Sequence, residues 1–160
     1  MAEGATVITD DRNRDFYRDV VLAPQPPSLS PDRLSQFPFA TTGPGTLAMQ
    51  TFTDRSTIAD ETRTIELYHV EGLNHAADML VAFLPQSKIL VNADLHSPPP
   101  QGGNLQKVSE NAVVLFNNVK RLKLDVAQHV PIHGNRGPQA DFERIVGPVA
   151  AKSRATGDGG

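Results

Sequence analysis

The sequence predicts an α/β protein in which helices flank a mixed β-sheet. Three observations carry that expectation. Short apolar runs of strand length, rich in β-branched residues, recur along the chain. Stretches of helical spacing separate them or follow them. Their order is strand, helix, several hairpin-like strands, helix, strand, helix, which suits stacked layers better than a bundle.

"ATVIT" (Ala5 to Thr9) opens the order as a β-branched strand. Asp10 or Asp11 is placed to cap a helix over "RNRDFYRDVVL", where Phe16, Val20 and Val21 fall near helical spacing. The connection that follows, "APQPPSLSPDRLSQFPFATTGPG", is too rich in proline for regular structure. Loops of this length are more often functional than incidental. Strands are then expected at Thr46 to Phe52, Thr64 to Val70, Met79 to Leu84 and Lys88 to Asp94, the last two joined by the turn "PQS". After the loop "HSPPPQGGN" comes a helix from Glu110 to Leu124, with Val113, Phe116, Val119 or Lys120, and Leu122 as its apolar stripe. "VAQHVPI" reads as a short buried strand. "PQADFERIVG" reads as a helix with Pro138 in its first turn and Gly147 as its stop. Residues 1–147 form the expected domain, and 148–160, small and polar, are expected to be a disordered tail.

The composition narrows the function classes. At 160 residues the chain suits one domain with a real core, and its formal net charge is −3. No Lys/Arg-rich stripe or aromatic platform points to nucleic acid. No apolar run is long enough to cross a bilayer, and no signal-peptide pattern opens the chain, so the expectation is a cytoplasmic protein. Without cysteine there is neither a disulfide nor a thiolate metal site, so any metal must use His, Asp or Glu.

Three such residues stand at strand ends, where α/β sheets gather their ligands. His75 lies in the loop "EGLNHAADML", Asp94 closes "KILVNAD", and His133 follows "VAQHVPI". Two imidazoles and a carboxylate suit zinc, manganese or iron. Each also has a plain structural reading, as a surface imidazole or as a carboxylate capping a turn. Asp78 is close enough to His75 in sequence to orient its ring. His96, two residues after Asp94, could approach the mouth of the same site. His69 in "ELYHV" reads as a strand residue facing solvent or packed, and His129 as a hydrogen-bonded core histidine. Gly134 permits a backbone turn that a side chain would obstruct.

At these residues the sequence resembles the metallo-β-lactamase-fold metallo-hydrolases. "VEGLNHAADMLVAFLPQSKILVNADLHSP" and "DVAQHVPIHGNRGP" look like the second half of that family, and "AEGATVITDDRNRDFY" like the segment after its first metal motif. The implied fold is the C-terminal half of an αββα sandwich. The implied cofactor is a pair of divalent ions, zinc or else manganese or iron. His75 and His133 would each serve one ion, and Asp94 would bridge them. The implied activity is hydrolysis of a small-molecule ester, amide, thioester or phosphoester.

The family's His-x-His-x-Asp-His motif has no counterpart in these 160 residues, whose histidines are His69, His75, His96, His129 and His133. Two ions would then keep one terminal and one shared ligand each, whereas a catalytic zinc wants about three protein ligands. The chain alone is therefore expected to bind metal weakly and to hydrolyse little. The rival expectation is a non-catalytic interaction module or homodimer; complementation by a separate N-terminal half is a third.

Overall fold

The computed structural model describes residues 6–21, 48–74, 78–99 and 107–157. The chain divides into two compact units, Met1–Asp54 and Arg55–Gly160. The His75 loop position and the expected proline-rich connection lie outside the described residues.

In the first unit, β1 (Thr6–Asp10) and β2 (Ala48–Phe52) pair in parallel, Thr6 opposite Ala48 and Asp10 opposite Phe52. Asp10 ends β1 fully buried and caps the turn that follows. Its Oδ1 accepts from the Arg12 backbone N–H at 2.9 Å, and the Arg12 guanidinium covers the same carboxylate. The helical stretch begins as a 3₁₀ turn at Asp11–Asn13, passes through α1 (Arg14–Phe16) and widens to a π turn at Tyr17–Val21. Two residues of the expected apolar stripe are not buried here: Phe16 and Val20 are each 55% exposed.

The second unit holds a six-stranded mixed sheet in the order β3 (Arg55–Ala59), β4 (Thr64–His69), β5 (Leu80–Leu84), β6 (Ile89–Asn92), β7 (Gln128–Pro131), β8 (Gly137–Pro138). All neighbours run antiparallel except β6 and β7, which are parallel. A parallel pair needs a crossover, and α2 (Glu110–Arg121) supplies it. Ser109 caps α2 by accepting from the Ala112 N–H at 3.1 Å, and Lys120 and Arg121 sit in its last turn, where the helix dipole favours cations.

Strand alternation sends Tyr68, Val81, Phe83 and Leu90 into the core, where they meet Leu115 and Val119 of α2 and Phe142 and Val146 of α3 (Gln139–Gly157). The buried face of α2 is Ala112, Leu115, Asn118 and Val119, one position round from the expected stripe; Val113, Phe116 and Leu122 flank it, partly buried.

Two further expectations change. β3 was not foreseen, because only Ser56 in "RSTIA" is buried and the strand lies at the sheet edge. Gly147 does not stop α3, which runs through Pro148 as far as Gly157, so the stretch expected as a disordered tail is helical over most of its length. The physical reason is the continuing stripe Phe142, Val146, Ala150, each 1% exposed and four residues apart. Burying Ala150 requires the helix to carry on past the bond that Pro148 forfeits.

Candidate functional site

Because β6 and β7 are parallel neighbours, their C-terminal ends share one edge of the sheet. Asp94 lies two residues beyond β6 and His133 two beyond β7. Residues 39 apart in sequence therefore meet: His133 Nδ1 lies 2.8 Å from Asp94 Oδ1. A carboxylate only accepts, so Nδ1 is the donor of this bond, and in the neutral ring Nε2 then keeps the lone pair. Both side chains are exposed, 75% and 66%.

The two loops that present the pair are fitted to each other. Asp94 sits at φ +58°, a left-handed conformation that Asp tolerates better than most residues. Gly134, next to His133, has φ +98°, and a Cβ there would collide with Ser97 Oγ. A Cβ on Gly137 would stand 2.7 Å from both Cβ and Cγ of Pro98. The absence of side chains at 134 and 137 is what lets the loop after β6 lie down on the turn after β7.

Beside the pair opens a cleft of about 390 Å³, bordered by Asp94, His96, Lys107, His133, Asn135 and Ile145. His96 borders it while turning its ring inward, with centroid distances of 4.5 Å to Phe142 and 5.7 Å to His129. Burial, and secondarily the neighbouring His129, push its pKa down to about 4. His129 is fully buried 4.3 Å from Phe142 and bonds Gln139 Oε1 through Nε2, as a core histidine does. Burial also lowers its pKa, against the hydrogen bond to Gln139. His69 is buried in β4 opposite Leu80. Asp78 is half-buried in the turn before β5, and His75 lies outside the described residues.

Asp94 and His133 fit a divalent cation in kind, as one oxygen and one nitrogen donor at the surface, but not in number. Among the described residues no three His, Asp or Glu side chains converge to hold an ion.

Sequence reasoning passed over two residues near this edge. Asn92, 1% exposed, ends β6 with Oδ1 accepting from the backbone N–H groups of Leu95 (3.1 Å) and His96 (3.0 Å). Asn118 of α2 accepts from the Glu71 N–H at 3.0 Å and donates to the Glu71 carbonyl at 2.8 Å, imitating a neighbouring strand for the chain that leaves β4. Both carried one available signal: an amide at a position the strand or helix period assigns to the core.

No family model and no curated protein matches the sequence. Solved structures do. A metallo-β-lactamase from Pontibacter korlensis is 21% identical with a TM-score of 0.55, over 93% of this chain and 58% of that one. The rubredoxin oxygen:oxidoreductase of Desulfovibrio gigas is 13% identical with a TM-score of 0.57, over 91% of this chain and 37% of that one. A metallo-β-lactamase family protein from Thermus thermophilus is 13% identical with a TM-score of 0.52, over 95% of this chain and 54% of that one. The chain has the metallo-β-lactamase fold, over most of its own length and over only part of the length of those proteins. None of the described helices is long and apolar enough to cross a membrane.

Proposed function

We propose that these residues form the later part of a metal-dependent hydrolase, acting on a small ester, amide, thioester or phosphoester. The observation that carries the reading is the meeting of Asp94 and His133 at the ends of adjacent parallel strands, 2.8 Å apart. The fold supports it but does not choose the chemistry: a lactamase and an oxidoreductase are both among the similar structures.

Asp94 Oδ1 holds the His133 ring and its tautomer, so that Nε2 is the ring atom left to ligate. A divalent ion held there would supply Lewis-acid chemistry. His75, together with donors from outside these 160 residues, would complete the coordination. The cleft beside the pair gives the substrate an apolar wall at Ile145 and a polar rim at Asn135 and Lys107.

The test is hydrolysis of a panel of chromogenic esters, thioesters and phosphoesters, with and without a chelator. Any turnover by the 160-residue chain is expected to be weak, to vanish on chelation and to vanish in His133→Ala. Turnover that survives either treatment refutes the metal reading.

The second reading, a dimer or interaction module, draws on the exposed edge strand β3, paired only with β4 among the described strands. A metal-independent dimer in sedimentation, dissociated by a proline at Thr57, would favour it.

A further inference from the structure

We propose that Asn92 is the positioning residue of the Asp94–His133 pair, acting through Asp94 to fix the tautomer of His133. The inference rests on the reading of that pair as the functional one, while its geometry stands independently of any metal.

Asn92 is bonded to the backbone on both sides of the pair. Its side-chain Oδ1 accepts from Leu95 and His96, closing a turn around Asp94. Its own carbonyl accepts from the Ile132 N–H at 3.0 Å, one residue before His133. A chain that turns back on Asn92 within three residues must reverse sharply, and Asp94 takes up that reversal at φ +58°. The residue type fits the task. A neutral amide oxygen can satisfy two N–H groups without burying a charge. Leu would leave both unsatisfied.

The arrangement also carries a cost that stability alone does not explain. Asn92 Nδ2 is buried and has no hydrogen-bond partner among the described residues. A buried donor left unpaired is unfavourable. An apolar residue would avoid that cost on a strand whose neighbour on the same face, Leu90, is fully buried. What the amide supplies in return is the turn, and through it the placement of Asp94 Oδ1 against His133 Nδ1.

The consequence is a tautomer. With Asp94 held, the proton of the neutral imidazole stays on Nδ1 and the Nε2 lone pair is free to ligate. With Asp94 released, His133 becomes an ordinary exposed imidazole with no partner to select Nδ1–H.

The experiment is a long-range ¹H–¹⁵N correlation spectrum of the metal-free chain at about pH 8. The unaltered protein is expected to show His133 protonated on Nδ1. Asn92→Leu, of similar volume, is expected to lose that state in favour of Nε2–H. Asn92→Asp, which keeps the acceptor, is expected to retain it. Zinc affinity, read by calorimetry, is expected to fall about tenfold in Asn92→Leu. Absence of zinc binding in every variant, with the tautomer pattern intact, would remove the metal reading and leave the positioning role standing. A folded Asn92→Leu that keeps Nδ1–H, or an unaltered protein that shows Nε2–H, overturns the proposal. Should Asn92→Leu fail to fold, Asn92→Ala replaces it, since it also removes the acceptor, and the same spectrum decides.

Discussion

Replacing Asn118 with alanine tests whether a side chain can stand in for a strand. Its amide meets both backbone groups of Glu71, at 3.0 and 2.8 Å, and also donates to the Val114 carbonyl at 2.9 Å. Its Oδ1 accepts in addition from the Arg121 guanidinium at 2.8 Å. Val114 lies one turn back in the same helix, and Arg121 keeps its ion pair with Glu71 and its bond to the His69 carbonyl. The groups orphaned by Asn118→Ala are therefore the Glu71 N–H and C=O. An unsatisfied buried group costs about 1–3 kcal/mol. Glu71 is itself exposed, so water recovers part of this, and a total of about 2 kcal/mol is expected. Urea unfolding of the full chain should show a lower midpoint at unchanged slope, and amide exchange at Glu71 should accelerate. Asn118→Asp keeps the acceptor for Glu71 and Arg121 but loses both donated bonds, so it should fall between the two. A loss below about 0.5 kcal/mol in Asn118→Ala would refute the reasoning, because it would mean solvent serves Glu71 as well as the amide does.

Two other outcomes follow from the same packing. His96 and His129 have pKa values below the ordinary 6.5, both chiefly through burial. The unfolded chain therefore binds more protons than the folded one below about pH 6.5, so stability is present above that pH and is lost as the pH falls toward about 4. Urea midpoints measured from about pH 7 to about pH 4 should decline, and His96→Phe should flatten part of the slope; a flat profile in the unaltered chain contradicts the burial of these rings. Gly137→Ala places a methyl 2.7 Å from the rigid Pro98 ring and should cost about 1–3 kcal/mol in urea unfolding. Pro98→Gly in the same chain should restore most of it, and equal losses in the single and double variants would show that the two loops are not in contact.

The sequence made most of the second unit legible. The runs around Leu80–Leu84, Ile89–Asn92 and Gln128–Pro131 are short, apolar and bounded by turn residues, and each forms a strand. The mixed sheet follows from the helix between the last two. β3 escaped because an edge strand with one buried residue has no apolar period to find. The end of α3 was misplaced because Gly147 and Pro148 are locally strong stop signals, while the opposing signal, Ala150 in register with Phe142 and Val146, is a single small residue. Tertiary burial outweighed local propensity there. The α2 stripe was misread by one position because Asn118, a polar residue, occupies part of the buried face. At the site, the convergence of Asp94 and His133 followed from their places after two strand runs. Asn92 and Asn118 were passed over because a buried amide looks in sequence like a break in an apolar pattern, and its partners are backbone groups that no sequence displays.

The Asp94–His133 bond also bears on whether Asp94 can bridge two ions, as the resemblance implies. An ionised carboxylate offers about four lone-pair positions, and His133 Nδ1 uses one of them. The two nitrogens of an imidazole point to opposite sides of the ring, so an ion on Nε2 lies beyond the reach of a carboxylate held at Nδ1, and Asp94 could share the ion of His133 only once this bond breaks. While the bond holds, Asp94 would act on an ion through His133, by keeping the ring proton on Nδ1, and not as that ion's own ligand. Under the proposed reading the pair therefore offers one prepared ligand atom, His133 Nε2, and parallel strands, one amide and two glycines set it within the stretch from Asn92 to Gly137. What this stretch does not contain is a third donor among its described residues. Donors added from outside should therefore raise metal affinity steeply, and the His133 Nδ1–H signal of the metal-loaded protein separates two roles for Asp94: it should persist if Asp94 orients the ring and change if Asp94 becomes a bridging ligand.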